Sequence, residues 1–153
     1  MKKCEKILSN SMESKRVHSS AVVLDDNGVL IMGDSGSGKS DLALRLIDNG
    51  ATLISDDISI CKKKFNDIYL FCPRETKGLL EVRDIGVITV PFVEQIKLRL
   101  VVKLTVSETN RLPSKNNFFK ILGIKCPLIK IDGRNSSSVV KIKVKLNEIR
   151  EEI

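Results

Sequence analysis

The eight residues Gly33-Asp34-Ser35-Gly36-Ser37-Gly38-Lys39-Ser40 match G-x-x-x-x-G-K-[ST] at every fixed position. This pattern constrains the fold because it works only between a buried strand and the start of a helix. Both flanks are legible. Val29-Leu30-Ile31-Met32 is a short apolar run, and Ser40 to Ile47 carries apolar residues at helical spacing up to the stop signal Asn49-Gly50. The glycines let the backbone curl so that successive N–H groups point at a phosphate. The helix start adds its own unpaired N–H groups and about half a positive charge. Lys39 is placed to reach β- and γ-phosphates, and the Ser40 hydroxyl to ligate Mg²⁺. Gly33 to Ser40 are therefore the candidate phosphate ligands. The plain alternative, a glycine-rich turn that binds nothing, leaves the strand and helix around it unexplained.

Composition narrows the function classes. A chain of 153 residues, 42% hydrophobic and 29% charged, reads as one soluble globular domain. No apolar run approaches the ~18 residues of a membrane span. The start Met1-Lys2-Lys3-Cys4-Glu5-Lys6 lacks the apolar segment of a signal peptide. A cytoplasmic location without membrane attachment is the expectation. Cys4, Cys61, Cys72 and Cys126 form no C-x-x-C pair and there is one histidine, so no zinc site is expected and the thiols should be reduced. The formal charge of +7 admits nucleic acid, an anionic membrane or an acidic protein. With one Tyr, no Trp and 4% aromatics, material for stacking bases is thin, so charge alone does not indicate a nucleic-acid partner. The run Lys62-Lys63-Lys64 reads as a solvated turn.

Residues 1–16 read as a loosely held arm, and 17–153 as the folded domain. Ala21-Val22-Val23-Leu24, the turn Asp25-Asp26-Asn27-Gly28 and Val29 to Met32 form a hairpin that feeds the glycine-rich loop. Ala51-Thr52-Leu53-Ile54 is the next strand, ending at Ser55-Asp56-Asp57. Carboxylates just past a strand end, after such a helix, suit a metal or catalytic role; the alternative is an ordinary Asx turn. Ile58 to Cys61 and Ile68 to Phe71 form a second hairpin. Leu79 to Ile88 is apolar except for Glu81, Arg83 and Asp84, charges that are costly to bury unless paired or bound. Ile96 to Val106 alternates as a long strand with one wet face, and Leu128 to Ile131 is a further strand. The tail from Val139 to Ile153 fits both periods, and its length favours a helix behind Ser136 to Ser138.

Taken in order, these segments resemble the HPr kinase/phosphorylase catalytic domain. The resemblance rests on His18, the hairpin, Gly33-Asp34-Ser35-Gly36-Ser37-Gly38-Lys39-Ser40, a helix ending at Gly50, Leu53-Ile54-Ser55-Asp56-Asp57, Leu80-Glu81-Val82-Arg83 and Gly133-Arg134-Asn135. It covers roughly residues 16–146 and looks like the short form without an N-terminal domain. It implies an α/β P-loop nucleoside-triphosphate-binding fold related to phosphoenolpyruvate carboxykinase, with strand-rich mixed sheets around the P-loop helix. It also implies ATP- and Mg²⁺-dependent phosphorylation of a seryl hydroxyl on the phosphocarrier protein HPr, and assembly as a homo-oligomer, a hexamer in the family. Carried across by position, Lys39 acts on the transferring phosphoryl, Ser40 and Glu81 ligate Mg²⁺, and Asp57 is the general base. His18 and Arg111 match further active-site positions, and Arg134 falls in a segment linked to the reverse reaction. Three positions depart from the family pattern: Ser19 follows the histidine where glycine is usual, Asp84 replaces the glycine of Glu-x-Arg-Gly, and Thr89 replaces an aspartate.

Three classes follow, each with its own signature. A serine kinase requires Asp57 and Glu81 beside the P-loop. A regulatory nucleotide-binding module predicts ATP binding with no labelled product. A basic nucleic-acid binder predicts salt-sensitive binding independent of Lys39.

Overall fold

The structure is a computed structural model that describes residues 13–106 and 117–151. Its first strand, β1 (Ser14–Leu24), is long enough to serve two layers. Ser14 to His18 pair antiparallel with Lys62 to Ile58 of β4 (Ile58–Lys64). Ser19 to Leu24 pair with β2 (Asn27–Met32), and Ala21 to Val23 also pair with β3 (Thr52–Ser55) through a bulge at Ala21/Val22. Strand β8 (Gln95–Leu104) divides its length in the same way. Its first residues pair with β5 (Asp67–Phe71), and its later ones lie parallel to β2. The circuit β1-β4-β5-β8-β2 therefore closes on itself, which leaves few open strand edges. Parallel to β8 runs β10 (Ile124–Ile131), with β9 (Phe118–Ile121) antiparallel at the rim. Strands β6 (Leu79–Val82) and β7 (Gly86–Thr89) make a separate hairpin.

Two cores lie on opposite faces of this sheet. On one face Val22, Val29, Ile31, Leu100 and Val102 meet Leu42, Ala43 and Leu46 of helix α1 (Lys39–Asp48), and Val139, Ile142 and Leu146 of helix α2 (Ser138–Glu151). On the other face Ala21, Leu30, Val101 and Leu128 meet Cys61, Ile68 and Leu70 of the β4–β5 layer. The central strands are thus covered on both sides where Ala21 to Leu24, Val29 to Met32 and Leu100 to Val102 run apolar without a break. Strands β2, β8 and β10 are parallel, and β3 shares their direction because it too is antiparallel to β1. Their C-terminal ends meet at one edge, the usual place for a binding crevice in such sheets.

Three expectations are corrected. Residues 14–16, read as part of an arm, belong to β1, because their backbone pairs with β4; the rest of the arm lies outside the described residues apart from Glu13, whose carbonyl accepts from Lys63 N at 2.9 Å. Lys62 to Lys64 are strand, not turn, since they pair with Tyr69, Ile68 and Asp67 and the turn falls on Phe65-Asn66. The ammonium groups of Lys62 and Lys64 sit over aromatic rings, Lys62 at 4.5 Å from the Phe71 centroid and Lys64 at 5.1 Å from that of Tyr69. The sequence reads as polar and irregular from Glu108 to Phe119, yet Phe118 and Phe119 begin β9, which is held by four cross-strand pairs with β10.

Candidate active site

The edge formed by β2, β3 and β10 opens into a cleft of about 1010 Å³. Strand β2 delivers the glycine-rich loop to this edge, and α1 carries it away. Gly33 has to be glycine because a Cβ there would stand 2.5 Å from Ser37 Oγ and 3.2 Å from Leu104 Cβ. Gly38, the residue before α1, has φ 96° and no side chain with which to cap the helix. The first N–H groups of α1 are thereby left to other acceptors. Lys39 is 7% exposed, and its Nζ donates to the carbonyls of Gly33 at 2.9 Å and Asp34 at 3.0 Å. An ammonium has three donors, so one remains for a ligand oxygen. Ser37 Oγ is buried with no hydrogen-bond partner among the described residues.

The adjacent carboxylates Asp56 and Asp57 separate completely. Asp56 is buried, and its Oδ1 accepts from Ser40 Oγ at 2.7 Å and from Ser20 Oγ at 2.8 Å. Its Oδ2 accepts from the backbone N–H of Glu81 at 3.1 Å. Asp57 stands in the cleft with φ 69°, a left-handed conformation that aspartate tolerates better than most residues. Its Oδ1 lies 2.9 Å from His18 Nε2, with 75% of the Asp57 side chain and 47% of the His18 side chain exposed. A pair this exposed contributes little to stability; what it does is orient the carboxylate.

The other predicted residues are brought together to different degrees. Glu81, exposed on β6, lines the cleft beside the loop. Asp34 is exposed on the loop, and its backbone carbonyl accepts from both Lys39 Nζ and Ser37 N. Ser35 and Gly36 line the cleft. Arg111 lies outside the described residues. Arg134 lines the cleft from the turn after β10, forked onto Asp132 through Nε and Nη2 at 3.0 Å each. This fork holds the Asp132 carboxyl at about 2, well below its ordinary value, and raises the guanidinium in turn. Asp84, in the β6–β7 turn, adopts φ 72°, the left-handed backbone that favours glycine. The turn therefore keeps its shape while adding a charge at the mouth.

Two participants escaped the sequence reading. Asp56 was visible only as half of an Asp-Asp pair, with nothing to say which member faces the loop. Ser20 lies inside β1, where it looked like an ordinary strand residue. The oxygen donors Ser40, Asp56 and Glu81 fit Mg²⁺, which keeps several waters and takes one or two carboxylates plus substrate phosphates.

Comparison with known proteins gives the family. A family model described as HPr serine kinase C-terminal domain matches residues 9–152. The HPr kinase/phosphorylase of Ralstonia pickettii is 34% identical over 155 residues, covering 91% of this chain and 48% of that protein. That of Mycoplasmopsis pulmonis is 36% identical over 139 residues, covering 83% and 45%. The chain thus spans about half the length of the curated relatives it matches. The solved HPr(Ser) kinase/phosphatase of Coxiella burnetii superposes with a TM-score of 0.78 at 29% identity, covering 91% of this chain and 99% of that one. With a match that runs from before β1 to the end of α2 and takes in every element of the cleft, this chain belongs to the HPr serine kinase C-terminal domain family.

Proposed function

We propose that the cleft transfers the γ-phosphoryl group of ATP to a seryl hydroxyl of HPr. The observation that carries this reading is the convergence at one sheet edge of Lys39 on the loop, the Ser40–Asp56 pair and the exposed Asp57–His18 pair. In this reading the seryl oxygen attacks the γ-phosphorus, the bond to the β-bridging oxygen breaks, ADP leaves, and Asp57 accepts the seryl proton. His18 fixes the Asp57 carboxylate through its 2.9 Å contact. Lys39, the unpartnered Ser37 hydroxyl and the uncapped helix start supply donors to the phosphates. Ser40, Asp56 and Glu81 would hold Mg²⁺, which would supply neutralisation of the phosphate charge.

The same reading takes the strand–loop–helix unit as a P-loop fold related to phosphoenolpyruvate carboxykinase, and takes the protein as a homo-oligomer. A nucleotide-binding module without transfer activity would have no use for the exposed Asp57–His18 pair, so the kinase is favoured over it. Incubation of the chain with γ-labelled ATP, Mg²⁺ and purified HPr tests the proposal. Label on a serine, absent with Lys39→Ala, is the expected result; nucleotide binding without label would overturn it.

A further inference from the structure

Arg45 lies on α1, one turn beyond the phosphate loop residues, and reaches a part of the chain nearly ninety residues away in sequence. Its Nε donates to Asp41 Oδ2 at 3.1 Å, an i,i+4 pair on the same helix that sets the plane of the guanidinium. Its two remaining nitrogens then point off the helix. Nη2 donates to the Gly133 carbonyl, and Nη1 to the Asn135 carbonyl at 3.3 Å. These two acceptors bracket Arg134, the cation at the mouth of the cleft.

The turn is tied down at its other contacts too. A Cβ on Gly133 would stand 2.9 Å from the Leu104 side chain, so the backbone rests directly on the end of β8. Ser138 Oγ lies 2.9 Å from the Asp132 carbonyl and 2.8 Å from that of Asn135. The Arg134 side chain, by contrast, is 69% exposed and held only by Asp132 within its own turn. That local fork fixes Arg134 relative to the turn. It does not fix the turn relative to the phosphate loop.

We propose that Arg45 is a positioning residue that fastens the Asp132–Asn135 turn to the P-loop helix and thereby sets the distance of Arg134 from the transferring phosphoryl group. The inference rests on the phosphotransfer reading above. An arginine is required because its planar fork spans two carbonyls two residues apart while a third nitrogen is engaged by Asp41; a lysine ammonium has neither the width nor the fixed plane. A cation held in place before reaction stabilises developing charge without reorganising.

The test is a double-mutant cycle of Arg45→Met and Arg134→Gln, with Arg45→Lys alongside, read as kcat, KM for HPr and Kd for ATP with Mg²⁺. Arg45→Met is expected to lower kcat about tenfold, as a displaced catalytic group does, with Kd for ATP within about twofold of wild type. In the Arg134→Gln background the same change should have no further effect on kcat, because the group it positions is gone. Arg45→Lys should recover only part of the loss. An equal loss in both backgrounds, or no loss in either, overturns the proposal.

Amide hydrogen exchange at Arg134, Asn135 and Ser138 is read on the same variants and needs no activity. Arg45→Met is expected to speed exchange there while leaving β2 and β8 unchanged; unaltered protection of the turn overturns the proposal. If the wild-type chain transfers no phosphate to HPr, the kinase reading fails and the exchange experiment still decides the fastening.

Discussion

The Ser40 hydroxyl donates to Asp56 Oδ1 across 2.7 Å, joining the first turn of helix α1 to the end of β3. The bond spans sixteen residues of sequence and fixes which of two neighbouring carboxylates belongs to the phosphate loop. Asp56, buried with three donors, is committed to that edge, while Asp57 is released into the cleft beside His18. A buried carboxylate is tolerable only when its oxygens are satisfied in this way. In the proposed reaction, metal binding and proton abstraction would thereby be divided between adjacent residues.

Asp57→Asn is expected to preserve nucleotide binding and reduce phosphate transfer to HPr by about a hundredfold or more, because it keeps the shape and removes the base. Single-turnover transfer with bound ATP separates the two quantities. Transfer at the wild-type rate would remove Asp57 from the role of base.

Asp56→Asn should act on the metal instead. It removes the charge beside Ser40 and sets an amide among donors, so the Mg²⁺ concentration for half-maximal transfer should rise about tenfold or more. Stability should fall by about 1–3 kcal/mol, since a buried amide N–H group meets the Ser40, Ser20 and Glu81 donors. A magnesium titration and a denaturant melt on the same preparation check both effects.

Gly33→Ala introduces a Cβ at 2.5 Å from Ser37 Oγ. The loop has to shift to accept it, and nucleotide affinity should fall by at least about tenfold, the scale set by small displacements of binding groups. The only core residue this Cβ meets is Leu104, at the end of β8 and at 3.2 Å, so the melting temperature should change little. Equilibrium binding of a labelled ATP analogue, with thermal unfolding as the control, distinguishes a local effect from a global one.

Burial pushes the Cys61 and Cys126 thiols up to about 11, with each raised mainly by desolvation. Both stay protonated in the folded chain while the unfolded chain ionises near 9. The folded state then holds more protons than the unfolded one between about pH 9 and 11, so stability is full below 9 and falls as pH rises through that window. Replacing both by Ala should flatten this slope in denaturant midpoints measured from pH 8 to 11. The same burial predicts slow alkylation of the native thiols at pH 8.

Much of the frame is readable because it depends on near neighbours. The alternation from Ile96 to Val106 appears as β8, which stops at Leu104, the hairpin 21–32 as the end of β1 with β2, and the tail is the helix α2 that its length favoured. Leu79 to Ile88 reads as one apolar segment yet folds as two strands, since the turn through Asp84 rests on a left-handed residue that no periodicity signals. Lys62 to Lys64 join β4 because they pair with Tyr69, Ile68 and Asp67, with the Lys62 and Lys64 ammonium groups over the rings of Phe71 and Tyr69, a cross-strand relationship absent from a local window.

The sequence by itself determined the phosphate loop, because the requirements of that loop lie within eight consecutive residues and the two elements that flank them. It also determined the alternating and helical segments that could pack around it. Only the tertiary structure decided that Asp56 faces Ser40 while Asp57 faces His18, and that Arg45 reaches the turn bearing Arg134. Those assignments depend on strand order and on where β2, β3 and β10 end relative to one another. Such distances are set by the packing of the whole sheet, and no spacing along the chain encodes them.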